Sequence, residues 1–148
     1  MSGFTVHIKD TDLTPNVRGF LDKLKSQAVK VGVFTADSAE KAYTAEFGDS
    51  ENNVPARAFM RKTTEVLDDK VVTLRDLITP AMEKNNEDTL LDALGNIVKG
   101  IMKNVIETAS YWAEANAQST VERKGHAMPL RDTDDMLNDV TFQIGTKE

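Results

Sequence analysis

Histidine is the residue type in this sequence best suited to catalysis or metal binding, but the spacing of the histidines predicts no such site. Only His7 and His126 are present. His7 falls on the polar phase of a predicted strand, and His126 follows Gly125 in a polar stretch. Neither has a second histidine or a carboxylate at a metal-ligand spacing, so we expect no metal ligands and interpret both as surface histidines.

The carboxylates are abundant but equally uninformative about catalysis. Doublets occur at residues 68–69, 87–88 and 134–135, and adjacent positions do not face each other on a helix. We interpret the first doublet as a solvated helix face and the other two as helix starts. Cysteine, phosphate-binding glycine loops and nucleophile-elbow motifs are absent from the sequence,. We therefore predict neither an enzyme nor a cofactor.

Composition limits the class of protein. The 148 residues fit one domain spanning 1–148, and the net charge of −6 argues against a protein that coats nucleic acid,. No apolar run approaches the roughly 18 residues of a membrane span. The first residues lack the pattern of a secretory signal. We expect a protein that is made and used in solution, with no membrane partner.

Three segments are predicted to be strands. Residues 4–8 and 140–144 alternate apolar and polar, and residues 29–34 are rich in β-branched side chains,. Gly32, inside the second strand, indicates a bulge or a close backbone approach.

Helices are predicted from apolar spacing and from capping residues. Their expected positions are a short helix starting at Thr14-Pro15, one from Ser38 to a left-handed Gly48, one from Pro55 to about Thr79 that Pro80 kinks or ends, one over 90–113, and a capped turn starting at Asp132 or Thr133,.

The long helix over 90–113 carries an apolar stripe wide enough to pack against both a sheet and other helices. Gly95 and Gly100 each cost it about 1 kcal/mol relative to alanine, and nothing in the sequence explains them. Residues 116–131 are polar and irregular, which predicts an extended arm. The fold class is therefore α+β, a small, mostly antiparallel sheet packed on one face by long helices.

The first notable constellation runs from Glu46-Phe47-Gly48 through a polar loop to residues 54–59. As plain structure it is a helix end, a loop and a proline-led helix start. Arg57 does not suit that interpretation, because a cation in a first turn opposes the helix dipole. We expect a carboxylate to hold it, either Glu46 or one on a neighbouring subunit, and Arg57→Ala to weaken assembly without unfolding the monomer.

The second constellation joins residues 123–126 to residues 129–133. On the residues alone, a solvated basic loop leading into a capped turn is the simpler interpretation. The alternative is an arm whose Arg123, Lys124 and Arg131 meet an acidic partner surface.

Together these segments resemble a known family. Glu46-Phe47-Gly48 followed by residues 54–61 resembles the "EFG … IPxRPFLR" pattern of tailed-bacteriophage tail-completion and neck proteins of the virion-morphogenesis type. Residues 123–137 are similar to that family's "KG … PLIDTGxLxxS" ending, and residues 31–33 match its "VGV". The order and spacing agree from about residue 29 to the last residue. Ala58, Arg131 and Asp134 depart from the usual proline, aliphatic residue and glycine, and aspartate adopts glycine's backbone angles less readily.

The resemblance implies a non-enzymatic structural protein of the virion, assembled in the host cytoplasm. It would form a homo-oligomeric ring, with six copies expected, and join the neck to the tail tube. Its partners would be its own copies, other neck or connector proteins, and the tail tube or tail terminator. DNA would pass through the lumen without specific binding, and an acidic lumen would suit that passage.

A ring needs one patch that meets a different patch on the neighbour. We expect the two motif segments to supply these patches. The predicted interface residues are Glu46, Phe47, Pro55, Arg57, Phe59, Arg61, Arg123, Lys124, Pro129, Leu130, Arg131 and Asp132.

Two alternatives remain open from the sequence. A tail terminator or a head-side connector adaptor has the same size and charge. A cytoplasmic regulator that dimerises through its long helix belongs to another class, and it would form a dimer rather than a ring.

Overall fold

The computed structural model describes residues 14–147, and this part of the chain combines seven α-helices, a short 3-10 helix and two strands. The α+β class is therefore confirmed. The predicted strand over 4–8 lies outside the described residues. The elements are α1 (Pro15–Ser26), β1 (Gln27–Val33), α2 (Ala36–Phe47), α3 (Phe59–Asp69), α4 (Val71–Glu83), α5 (Glu87–Glu107), the 3-10 helix (Ala109–Tyr111), α6 (Gln118–Lys124), α7 (Asp135–Asp139) and β2 (Val140–Thr146).

The two strands form one antiparallel pair. Their register runs without interruption from Gln27 opposite Thr146 to Val33 opposite Val140. Both strand predictions within the described residues are confirmed. The bulge expected at Gly32 was wrong, because Gly32 pairs regularly with Thr141 and a side-chain carbon there would meet open space.

Helix α5 is the centre of the packing. It contacts both strands and also α3 and α4. The apolar stripe of α5 therefore packs against other elements of the same chain. Burial of apolar side chains in this way is the main favourable contribution to folding. The main buried cluster consists of Ala42, Phe59, Met102, Val105, Ile106, Met136, Leu137 and Val140.

Gly95 is explained by the sheet. A side-chain carbon at this buried position would lie 2.3 Å from the ring of Phe142 on β2. Only glycine lets the helix and the aromatic ring approach this closely. Gly100 differs, because it is exposed and a side-chain carbon there would meet nothing within 4 Å.

Helix α1 begins as predicted. Pro15 occupies the first turn, and the Thr14 hydroxyl accepts a hydrogen bond from the backbone N–H of Val17 at 3.4 Å. Lys23 of α1 forms an ion pair with Glu87 at the start of α5. This pair links the first helix to the central one, although an exposed ion pair adds little stability.

The helix predicted over 55–79 was wrong in its bounds. It starts at Phe59, since the backbone N–H groups of Val54 and Arg57 are bonded to Asp49 and Ala45. It then breaks at Lys70 into α3 and α4. Pro80 does not end α4. It lies close to the last turn, where its missing N–H removes one helical hydrogen bond,.

The later part of the chain is more ordered than predicted. Residues 118–124, assigned to an extended arm, form α6, which Gly125 ends in the left-handed conformation at φ 77°. The long helix ends at Glu107 rather than near residue 113. The 3-10 helix follows it after Thr108. Among residues 14–147, no helix is both long enough and apolar enough to cross a bilayer.

The close approach at Gly95 leads to a paired prediction. Gly95→Ala should lower the free energy of unfolding by about 1–3 kcal/mol, because the methyl group overpacks against Phe142. Gly100→Ala should raise it by up to about 1 kcal/mol through helix propensity. Urea unfolding of both variants checks this, and equal effects at the two positions would contradict the packing explanation.

Candidate functional site

The two motif segments meet at an open cleft of about 590 Å³. One wall is the cleft-facing side of α2, from Asp37 to Ala45. Arg57 lies on the segment that leads into α3, and residues 116–136 supply the opposite wall. The structure therefore brings together segments that are some sixty residues apart in the sequence.

Arg57 is held by backbone carbonyls. Its Nε donates to the carbonyl oxygen of Glu114 at 2.7 Å and its Nη2 to that of Ala115 at 3.2 Å. The expectation that Glu46 holds it was wrong, and so was its placement in a helical first turn, because α3 starts two residues later. Burial lowers the pKa of the Arg57 guanidinium, and the nearby Glu114 carboxylate only partly opposes this,.

Glu46 instead caps the next helix. Its side chain is buried, and its two oxygens accept hydrogen bonds from the backbone N–H groups of Met60 at 2.8 Å and Arg61 at 3.2 Å. A carboxylate at this end also suits the positive pole of α3. The end of α2 is thereby fixed to the start of α3.

Gly48 makes the turn between these helices possible. Its φ of 74° is positive, as predicted for this helix end, but its ψ of −179° is extended rather than left-handed helical. A side-chain carbon would lie 2.8 Å from the backbone nitrogen of Ala56. The loop that follows is closed by a bridge between Asp49 and Val54. This compact turn brings Arg57 back alongside the last residues of α2.

The opposite wall folds back on itself. The Asn116 side-chain nitrogen donates to the carbonyl oxygens of Ala127 and Met128, both at 3.2 Å. The Lys124 ammonium donates to the Met128 carbonyl at 2.9 Å. Burial lowers the pKa of Lys124, and the nearby Asp132 opposes that effect. The predicted extended arm is therefore a folded segment closed by main-chain acceptors.

Two of the departures from the resembled pattern are partners of each other. Asp134 adopts the left-handed conformation, with φ 65° and ψ 9°, where that pattern has glycine. Arg131 binds its carboxylate through two parallel hydrogen bonds, at 2.7 Å and 2.6 Å. This pairing raises the pKa of Arg131 and lowers that of Asp134, and it supports a backbone conformation that aspartate tolerates better than most residues.

Asp139 joins α2 to α7. The hydroxyl groups of Thr35 and Ser38 both donate to its Oδ2, at 2.7 Å and 2.5 Å. Ser38 was predicted to cap α2, but it is buried inside the helix, and Thr35 occupies the cap position. The hydrogen bonds from Ser38 and Thr35 lower the pKa of Asp139.

Charge pairing around the cleft is incomplete. Ion pairs join Arg123 to Asp132 at 3.2 Å and Lys41 to Asp135 at 3.5 Å, besides the pair formed by Arg131. Arg57 and Lys124 form no ion pair with any carboxylate in the described part of the chain. Each donates only to main-chain oxygens.

The other predicted interface residues divide between surface and interior. Phe47 is 61% exposed and Tyr43, one turn earlier, is 66% exposed, with ring centroids 4.8 Å apart. Sequence reasoning overlooked Tyr43, although its helical spacing from Phe47 was a usable signal. Phe59 is fully buried and belongs to the core. Arg61 is exposed, Pro55 and Leu130 are half-buried, and Pro129 is buried.

The histidines give no further site. Within residues 14–147 no group of three or more histidine, cysteine, aspartate or glutamate side chains is arranged to hold a metal ion. His126 was interpreted as a surface residue, but it is half-buried, and its Nδ1 atom meets no hydrogen-bond partner among the described residues. His7 lies outside them.

Comparison of the chain with protein-family models, with curated proteins and with solved structures finds no match. The functional proposal therefore depends on the surface chemistry of the cleft and of α2.

The Glu46 cap can be tested by substitution. Glu46→Ala should lower the free energy of unfolding by about 2 kcal/mol, because two buried N–H groups lose a charged acceptor. Glu46→Gln should lose less, since the amide oxygen keeps one bond. Glu40→Ala, an exposed change on the same helix, should stay within about 0.5 kcal/mol of the parent in denaturant unfolding. A Glu46→Ala protein as stable as that control would contradict the capping role.

The bonds to Asp139 predict a pH dependence of stability. Because the folded pKa of this carboxylate is lowered, the stabilisation is present above its unfolded pKa and is lost as pH falls through the folded pKa,. Asp139→Asn and Ser38→Ala should both flatten the loss of stability below about pH 5. Chemical unfolding across a pH series measures this, and an unchanged acid slope in both variants would rule out the linkage.

Proposed function

We propose that this chain is a structural protein of a tailed-bacteriophage virion that assembles into a ring at the head–tail junction or tail end. There it would join the neck to the tail tube, and DNA would pass through its lumen. Its chemistry would be protein–protein contact. The observation that carries the proposal is the exposed aromatic pair of α2 beside the cleft in which the two motif segments meet.

The aromatic pair suits a partner contact. Tyr43 and Phe47 lie one turn apart, are both more than half exposed, and contact each other. Aromatic side chains are enriched in the buried centres of interfaces, and adjoining exposed apolar groups mark interaction sites better than isolated ones. The same helix carries Lys41 and Thr44 on the cleft side. One element thus offers both apolar and charged contacts.

The resembled motifs also gain support from their placement. The first motif forms the turn at Gly48 and positions Arg57, while the second forms the facing wall of the same cleft. Asp134 has the left-handed backbone that the glycine of the resembled pattern adopts readily,. Sequence segments that were grouped only by resemblance therefore belong to one structural unit.

The dimeric-regulator alternative depended on a free apolar stripe along the long helix. In the described structure, α5 buries that stripe against the sheet, α3 and α4. The exposed large apolar side chains are instead on α2 and on other elements, and none belongs to α5. We therefore prefer the ring. A tail terminator or connector adaptor would use the same surfaces.

Native mass spectrometry and electron microscopy of the purified protein test the proposal directly. We expect a closed ring of one defined copy number, and we expect the protein in mature phage particles. A chain that stays monomeric at every concentration and is absent from particles would overturn the proposal.

The aromatic pair gives a sharper prediction. The double variant Tyr43→Ser with Phe47→Ser should keep the fold, because both rings are largely exposed, but should weaken assembly at least about tenfold. Tyr111→Ser is the matched control, since Tyr111 is 90% exposed and is not part of this pair. Sedimentation velocity compares the three proteins, and unaltered assembly of the double variant would exclude the pair from the interface.

A further inference from the structure

We propose that Arg57 and Lys124 form a carboxylate-binding subsite in the cleft, and that its ligand is the Asp68-Asp69 doublet of a neighbouring copy. This inference rests on the proposed self-assembly and specifies one charged contact of its interface. It predicts a head-to-tail arrangement of identical chains.

The two cations are prepared for an external anion. Both line the cleft, and both donate to backbone carbonyls while the other cleft cations have carboxylate partners. Each retains N–H groups that meet no acceptor among the described residues. Glu114 lies near Arg57 and Asp132 lies near Lys124, but neither carboxylate bonds to the cation beside it. An incoming carboxylate would give these partly desolvated cations a directly bonded counter-ion.

The acidic doublet is poorly accommodated within its own chain. Asp68 and Asp69 are the last residues of α3, where the helix dipole is negative, and Lys70 and the start of α4 follow directly,. The last turn of α3 contains no basic residue, and no side-chain bond caps α4 at the adjoining break. Both aspartates are exposed, and neither carboxylate forms an ion pair or hydrogen bond with residues 14–147. The doublet therefore presents two unpaired negative charges to solvent.

Geometry makes the contact intermolecular. Arg57 lies two residues before α3, whereas the doublet ends it, so at least the length of the helix, about 16 Å, separates the two,. A rigid helix cannot bring its own ends together. A contact between the start of α3 in one copy and its end in the next is heterologous, which is the type that builds rings.

The first experiment reverses the charge of the doublet. Asp68→Lys with Asp69→Lys should keep the fold, because lysine suits the negative end of a helix. Its dissociation constant for self-assembly at low salt should rise at least about tenfold, because like charges would face each other at the cleft. Added salt should reduce the difference from wild type. Thermal unfolding confirms the fold, and sedimentation velocity measures assembly.

The control makes the same change in charge away from the cleft. Asp76→Lys with Glu83→Lys alters two exposed acids of α4, neither of which lines the cleft. The change in net charge is identical and the cleft is unaltered, so this variant should assemble as tightly as wild type. Equal weakening of assembly in this control and in the doublet variant would overturn the assignment of the ligand.

A mixing experiment tests the pairing itself. Lys124→Glu alone should assemble poorly, because the introduced glutamate cancels the charge of Arg57 and the subsite no longer attracts the doublet. Mixed in equal amounts with the doublet variant, it should assemble better than either variant alone, since one interface regains the native charges and the other places the introduced glutamate beside the introduced lysines. Failure of the mixture to assemble would contradict the pairing, provided that each variant is folded.

The outcomes separate this inference from the function on which it rests. A wild-type chain that never assembles removes both. A wild-type ring that the doublet variant forms equally well removes only the proposed contact.

Discussion

Helix α5 and the two-stranded sheet meet across the side-chain-free surface of Gly95, where the ring of Phe142 lies against the helix. A two-stranded sheet has little stability alone, so its pairing depends on this apolar support. The same helix contacts α3 and α4 on its other sides. Through α3 it also fixes the segment that carries Arg57, and the cleft therefore depends on the sheet–helix contact.

The cleft is built mainly from main-chain hydrogen bonds and short polar links. Glu46 joins two helices by accepting backbone N–H groups, Asp139 joins α2 to α7 through two hydroxyls, and Arg57 fastens the chain after the 3-10 helix. These hydrogen bonds fix the relative positions of the helices without filling the cleft with side chains. They leave an open surface whose shape is set by the backbone and whose charges are only partly neutralised, as suits contact with another protein.

Much of the fold could be predicted from the sequence, because periodicity reports which side chains are buried. The strands over 29–34 and 140–144 and the capped start of α1 were confirmed on that basis. The errors fall where tertiary hydrogen bonds decide. Pro55 does not start α3, since the backbone on both sides of it is already bonded to the end of α2 and its loop. Polarity predicted an extended arm over 116–131, yet α6 forms there.

The predictions for the cleft were also correct in part, and they failed where tertiary hydrogen bonds decide. Residue type and position identified Arg57 and Lys124 as candidates. The sequence could not show that backbone carbonyls accept their hydrogen bonds, because every residue has a backbone carbonyl. Nor could it show that Arg131 and Asp134 compensate each other, because each looked like an independent departure from the resembled pattern. Tyr43 lies outside the resembled motif, and only its helical spacing from Phe47 marks it in the sequence,.

The register of the sheet also constrains how the chain folds. Val33 and Val140, which pair at one end of the sheet, are roughly a hundred residues apart along the chain, and closing so long a loop has an entropic cost that only later contacts repay. The helices between them can associate through nearer neighbours first. Strand pairing then becomes the slow, non-local step of folding. A chain in which the strands have not yet paired would leave the surface of α5 at Gly95 open to solvent, and exposed apolar surface of this kind promotes aggregation.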